Sequence, residues 1–247
     1  MRNSQFPISM TEKFQRSKKA IYEIMARFLN GATTDYSEGK EIYEKCKSII
    51  ADFELTKDLS NEELSTEVYR FTGNLRTNYH DCICMSAYAA YFAQILGWDA
   101  TKRETAAIAG LLHNIGLSQV PPEAVEKNPE DMKAEELQDY HLYPERSVNL
   151  VKAKKVPLPA EVSEAIGQHR EKGRGSGFPK KMPLADMSEM GKLMAMAYHF
   201  HELTALNTGK TAMTPANALS HIRDNALTGA GEYDMIVTTQ IFKKLKF

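Results

Sequence analysis

Long apolar runs, paired cysteines and an excess of charge of either sign are all missing from this sequence of 247 residues. Its most apolar stretch, residues 87–96, is interrupted by Gln94 and is too short to cross a bilayer. The first residues contain no apolar segment of the kind that directs secretion. We therefore expect a cytoplasmic protein that does not enter a membrane.

Charge and cysteine content exclude two further classes. The 31 basic side chains are balanced by 32 acidic ones, so there is no excess of Lys and Arg to displace counterions from nucleic acid. The three cysteines, Cys46, Cys82 and Cys84, lack the spacing of zinc ligands. We therefore predict no nucleic-acid partner and three reduced thiols.

What is present is a strong helical pattern in an ordinary globular composition, with 43% hydrophobic residues. Apolar residues recur every three or four positions, and no segment shows the alternation of a half-buried strand. The sequence thus predicts an all-α protein. The predicted helical segments lie at 21–29, 42–53, 61 onward, 77–96, 106–115, 135–140, 144–154, 160–171, 186–207, 214–226 and 234–245.

Several of these segments have predictable ends. Residues 60–63 and 101–104 have capping-box spacing, Thr214–Pro215 is a good helix start, and Gly31 is suited to end the first helix. We divide the chain into a helical extension over residues 1–60 and a main domain over residues 61–247.

Histidines are placed close to the predicted helix ends, where a bundle can bring them together around a metal. A lone histidine is more often an ordinary polar residue. His199 and His201 are two apart on one helix and therefore cannot both face one site. The histidines near helix ends are His80, His113, His141 and His169.

Four motifs follow one another in a distinctive order. Ala-Gly-Leu-Leu-His-Asn-Ile-Gly surrounds His113, and Ile-Gly-Gln-His-Arg-Glu surrounds His169. Gly-Ser-Gly-Phe-Pro occupies 175–179, and Ala-Tyr-His-Phe-His-Glu-Leu-Thr occupies 197–204. From about residue 14 onward, this order resembles the HD-GYP domain, a bacterial branch of the HD superfamily of metal-dependent phosphohydrolases.

The resemblance implies a fold and a chemistry. HD-GYP domains are all-α bundles that hydrolyse cyclic di-GMP or related cyclic dinucleotides with two or three iron-type or manganese-type metals. Such a centre needs carboxylates and imidazoles, because two divalent cations held close together repel each other. The metals lower the pKa of a bridging water, which attacks the phosphodiester.

Carried over position by position, the ligand set is only partly present. His80, His113 and His169 match family histidines. The positions that depart from the family pattern are Asn114 for the bridging aspartate, Tyr143 for a histidine, Arg170 for the second of two adjacent histidines, Tyr198 for the late aspartate, Leu117 for a lysine, Arg174 for an acidic loop residue and Phe178 for the tyrosine that gives the family its name.

These departures argue against a two-metal centre, because carboxylates have become neutral and Arg170 cannot lose its proton. We expect no metal. The alternative is one divalent ion (Fe, Mn or Zn) on His80, His113 and His169, with His141 or His199 as a further ligand.

The sequence therefore favours a degenerate, catalytically inactive HD-GYP domain that acts as a binding or protein-interaction module in bacterial cyclic di-GMP signalling. Its expected partners are a diguanylate cyclase-type or other signalling protein and cyclic di-GMP itself. Two alternatives stay open: an active phosphodiesterase with a single-metal site, and a scaffold whose pocket binds nothing. Candidate anion contacts are Arg170, Lys172 and Arg174, and the GYP-like loop contains Gly175, Gly177, Phe178 and Pro179.

Overall fold

The computed structural model describes residues 9–29, 35–74, 77–206, 211–227 and 231–247, and within these ranges the chain is all-α, as predicted. None of the described helices is both long and apolar enough to cross a membrane. The helices are α1 (Met10–Leu29), α2 (Tyr36–Asp52), α3 (Asn61–Arg70), α4 (Asn78–Ile95), α5 (Ala100–Leu112), α6 (Pro122–Val125), α7 (Ala134–His141), α8 (Tyr143–Ala153), α9 (Ala160–Gln168), α10 (Glu189–Thr204), α11 (Pro215–Leu227) and α12 (Met235–Lys244).

Helix starts show which local signals were decisive. At α3 the predicted capping box is present: Ser60 Oγ accepts the N–H of Glu63, and the Glu63 carboxylate accepts the N–H of Ser60. At α5 the predicted start at Thr101 is wrong. Asp99 precedes it, and its carboxylate accepts the N–H of Lys102 at 2.8 Å. An anionic cap also interacts favourably with the helix dipole, so α5 begins directly after Asp99.

Other predicted helix ends agree with the structure to different degrees. α11 begins at Pro215 behind Thr214, as predicted. The late helix predicted over 186–207 is shorter, because Ser188 caps α10 and the chain before it forms a short 3₁₀ turn. Gly31, the predicted end of the first helix, lies outside the described residues, as does residue 207.

The core is organised around α4, which is buried on all sides from Cys82 to Ala93. α5 and α10 pack against it, and one continuous hydrophobic cluster extends from Phe14 in α1 to Leu245 after α12. The first two helices share this cluster. The division of the chain at residue 60 stays a prediction.

α2 is joined to the end of α8 by an unusually close contact. A Cβ at Gly39 would lie 2.3 Å from the carbonyl oxygen of Lys155 and 2.4 Å from that of Lys154. The side chain of Lys154 is only 1% exposed, and its Nζ lies 2.9 Å from the carboxylate of Glu38. Backbone approach and a buried ion pair therefore fix the first turn of α2 to α8.

A second close approach positions the segment after α5. A Cβ at Gly116 would lie 2.1 Å from the carbonyl oxygen of Tyr143, at the start of α8. The Gly116 N–H donates to Ser147 Oγ at 2.8 Å, and this hydroxyl lies 2.9 Å from the carbonyl oxygen of His113. The end of α5 and the start of α8 are thus held together at the motif that surrounds His113.

We predict that Gly39→Ala destabilises the protein by roughly 3 kcal/mol, since the new methyl group collides with backbone carbonyls that cannot move away. Gly167→Ala in α9 is the matched control. Its Cβ would meet only Val148 Cγ2, at 3.4 Å, and Ala is the better helix former. Urea unfolding of both variants tests this, and equal unfolding free energies would contradict it.

Candidate functional site

Four aromatic side chains from four helices or helix ends meet in one buried cluster. His113 follows α5, Tyr143 begins α8, His169 follows α9, and Tyr198 lies in the middle of α10. The ring of His169 lies 4.9 Å from that of His113, 5.2 Å from that of Tyr198 and 5.4 Å from that of Tyr143. The fold thus brings together most of the positions that the motifs singled out.

His169 is held by hydrogen bonds at both ring nitrogens. Its Nδ1–H donates to the carbonyl oxygen of Ile166 at 2.6 Å, so Nε2 is left to accept a hydrogen bond from the Tyr143 hydroxyl at 2.8 Å. Burial raises the pKa of Tyr143 well above its usual value, which keeps this hydroxyl protonated as a donor. Burial, with His113 nearby, holds the pKa of His169 well below its usual value. His169 is therefore a neutral imidazole whose Nε2 is already in use.

The histidine–asparagine pair after α5 is also oriented by its neighbours. His113 Nδ1–H donates to the carbonyl oxygen of Gly110 at 2.7 Å. The side chain of Asn114 is directed toward α4, where its Oδ1 accepts a hydrogen bond from the thiol of Cys82 at 3.0 Å. Burial raises the pKa of Cys82, so the thiol remains a donor.

Arg170 points inward and lies between two aromatic rings. Its guanidinium carbon is 4.2 Å from the ring centre of Tyr198 and 4.7 Å from that of Phe178. Nη1 donates to Glu202 Oε1 at 2.9 Å, and only 12% of the Arg170 side chain is exposed. Burial opposes its charge, but the Glu202 carboxylate together with Tyr198 and Tyr143 outweighs that effect and raises the pKa of Arg170 further above its usual value. A fixed, neutralised cation thus stands beside the histidines.

Glu202 was not identified from the sequence. It lies four residues after Tyr198 on α10, and this spacing puts both side chains on one face of the helix. A search of the sequence for a carboxylate one helical turn from Tyr198, which replaces the late aspartate of the family, would have identified Glu202.

The glycine loop, residues 172–181, is held by hydrogen bonds between its end and the residue that precedes it. Both carboxylate oxygens of Glu171, which is buried, accept loop N–H groups, from Lys180 at 2.6 Å and from Met182 at 2.9 Å. Both N–H groups are therefore already bonded within the chain. Phe178 faces inward, with its ring stacked 4.1 Å from that of His141, whereas Pro179 lines an outer groove.

The other two candidate anion contacts differ in position, because Lys172 lines the same cavity of about 220 Å³ as His169 and Arg170, whereas Arg174 does not. Lys172 Nζ lies 3.5 Å from the carboxylate of Glu232, and Arg174 is exposed in the loop. Of the three basic residues proposed from the sequence, Arg170 contacts a ring of the cluster and Lys172 lines the cavity beside it.

Of the remaining candidate ligands, His199 lines the same cavity as His169 and Arg170, whereas His80 does not. His80 packs against Phe14 and Tyr79, with its Nδ1 2.9 Å from Thr77 Oγ1. His199 stacks against Tyr233. The predicted separation of His199 from His201 is observed, because His201 Nε2 lies instead against Asp81, at 2.9 Å.

The cluster does not fit the metals that the family resemblance implies. Within the described ranges, no group of three or more His, Cys, Asp or Glu side chains is arranged to hold a metal ion. His80 is not grouped with His113 and His169. The Nε2 of His169 already accepts a hydrogen bond from Tyr143. Arg170, which stands where the family has a histidine, places a positive charge against Tyr198 in the cluster.

Comparison with known proteins places this geometry in context. The sequence profile described as HD domain matches residues 58–236. Among solved structures, the chain is similar to Bd1817, a HDG"Y"P protein from Bdellovibrio bacteriovorus, with 19% identity and a TM-score of 0.65. That alignment covers 96% of this chain and 74% of the other. A comparison with curated proteins gave no significant match.

We predict that burial of neutral His169 makes the protein less stable in acid. Its folded-state pKa lies below the unfolded value near 6.5, so the unfolded state binds more protons, and stability present above that pH is lost as the pH falls. Between about pH 7.5 and 5.5 this one residue contributes a loss on the order of 1 kcal/mol.

Urea unfolding at the two pH values measures this loss. His169→Gln should reduce the difference, and His221→Gln, at an exposed histidine, should leave it unchanged. An equal pH dependence in all three proteins would show that His169 is not the cause.

Proposed function

This chain belongs to the HD domain family, and we propose that it is a degenerate HD-GYP protein that acts as a binding or interaction module in bacterial cyclic di-GMP signalling, without phosphodiesterase activity. The motifs around His113 and His169 support the HD-GYP assignment, as does the fold shared with an HDGYP protein. The proposed loss of activity depends on the chemistry of the cluster.

The observation that carries the proposal is that His169, Asn114 and Arg170 already have partners within the chain. The Tyr143 hydroxyl occupies the nitrogen of His169 that would otherwise be directed at a ligand. The Asn114 amide oxygen accepts from a thiol of α4. Arg170 and Glu202 neutralise each other within the same cluster. Replacing any of these contacts by a metal requires breaking hydrogen bonds that are already made.

Electrostatics adds a second argument. A divalent ion about 4 Å from a guanidinium is repelled by several kcal/mol, even at an effective dielectric constant near 20. The family offsets metal charge with carboxylates, but Asn114 and Tyr198 supply none at the matching positions. Glu202 is the acidic side chain that contacts Arg170, and its charge is used there.

We predict that the purified protein contains no stoichiometric transition metal and does not hydrolyse cyclic di-GMP or its linear dinucleotide when Mn²⁺ or Fe²⁺ is supplied. Elemental analysis and product chromatography measure both. Two tightly bound metals per chain, or turnover that His113→Ala removes, would overturn the proposal.

A restoration variant serves as the control for the metal analysis. Combining Asn114→Asp, Tyr143→His, Arg170→His and Tyr198→Asp returns the family ligands to the same scaffold. Metal uptake by this variant alone would identify the four substitutions as the reason that the wild-type chain has no metal. Calorimetry with cyclic di-GMP on the wild-type protein then distinguishes a nucleotide-binding module from one that binds protein alone.

A protein partner is proposed at the groove beside the glycine loop. Because Phe178 is directed inward, the outer surface of this loop presents Pro179 and Met182 to a groove of about 540 Å³ between α8 and α9. Val148 and Leu158 add apolar surface, and Lys152 lies among the charged residues of the lining. A diguanylate cyclase-type domain is the partner we propose, in keeping with the resemblance to HD-GYP proteins.

We expect Leu158→Asp to abolish binding of a purified diguanylate cyclase domain in a calorimetric titration, because it puts a charge into the apolar lining. Leu29→Asp is the control, since Leu29 lies on α1 and is 63% exposed. Equal heats for the wild type and both variants would exclude this groove as the docking surface.

A further inference from the structure

A second surface, distant in sequence from the cluster, has the features of a preformed peptide groove. It lies between α3 and residues 243–247, encloses about 610 Å³ and shares no lining residue with the histidine cluster. We call it the tail groove. The Lys246 N–H donates to Ser65 Oγ at 3.0 Å, and Leu245 is buried in the core, so both walls are fixed.

The tail groove carries uncompensated positive charge. Lys243, Lys244 and Lys246 line it and are exposed, and none of them forms an ion pair with another described residue. Glu62 is the acidic residue in the described lining. By contrast, Lys154 is paired with a carboxylate in the folded chain. Three lysines against one glutamate leave a local excess of positive charge in a protein whose net charge is -1.

Aromatic surface accompanies these lysines. Tyr69 is 62% exposed on the outer face of α3, and Phe247 is 44% exposed at the other wall. Exposed aromatic side chains in a groove are typical of binding surfaces, where they bury apolar groups of a partner. The groove therefore offers apolar contacts as well as charge.

Its dimensions select a short ligand. From Asn61 to Tyr69 the helix rises about 12 Å, which corresponds to about four residues of extended chain. Nucleic acid is less suited to this surface, because a phosphate backbone calls for an extended basic patch and the described lining contains no arginine.

We propose that the tail groove binds a short acidic segment of a partner protein, with carboxylates facing Lys243, Lys244 and Lys246 and an apolar side chain between Tyr69 and Phe247. The charge of the groove is complementary to such a segment, and its fixed walls lower the cost of ordering on binding. This interaction is independent of metal chemistry and of the proposed groove beside Pro179.

Fluorescence anisotropy with a labelled peptide that alternates Glu and Leu tests the proposal on the full chain. We expect saturable binding that weakens as salt is raised, because exposed charge pairs are screened. Combining Lys243→Glu, Lys244→Glu and Lys246→Glu should weaken it at least about tenfold. Tyr69→Ser, which leaves the charge unchanged, should weaken it as well.

The matched control combines Lys19→Glu, Lys40→Glu and Lys133→Glu, which changes the net charge equally at exposed positions outside both the tail groove and the groove beside Pro179. It should bind the peptide like the wild type. The proposal is overturned if the wild type shows no saturable binding or if both triple variants bind the peptide alike. It is also overturned if a peptide with Gln in place of each Glu binds equally well, or if a single-stranded oligonucleotide binds more tightly. Circular dichroism establishes that each variant is folded.

Discussion

The buried charge of Arg170 is the constraint on which the rest of the cluster depends. A guanidinium that is mostly removed from water requires a carboxylate, and Glu202 supplies it from α10. The flat faces of the cation are covered by Tyr198 and Phe178. Phe178 in turn draws the glycine loop inward, and its ring meets His141 on α7. One ion pair thereby connects α10, the loop and α7.

The same principle of internal neutralisation recurs in the loop and in the histidines. Glu171 satisfies loop N–H groups that an external anion would otherwise use, and Tyr143 satisfies His169. Buried polar groups are stable only when they are paired. A site built to receive a metal or a phosphate leaves such groups available. Here the chain provides the partners itself, which is the physical basis for proposing a module without catalysis.

The first two helices contribute to this arrangement through α8. Gly39 allows the backbone of α2 to approach the end of α8, and Lys154 pairs with Glu38 there. The opposite end of α8 begins with Tyr143, the residue that donates to His169. Removing α1 and α2 would therefore expose a buried lysine at the end of the helix whose start positions the cluster.

Local signals in the sequence determined the helices, the capping box at Ser60 and the histidines that match the family motifs, because periodicity and caps depend on neighbouring residues. They failed at Thr101, where the competing cap of Asp99 prevailed. The tertiary structure alone decided that His80 faces Phe14, that Phe178 turns inward and that Glu202 pairs with Arg170. Such choices depend on which buried charges and rings meet across helices that are distant in sequence.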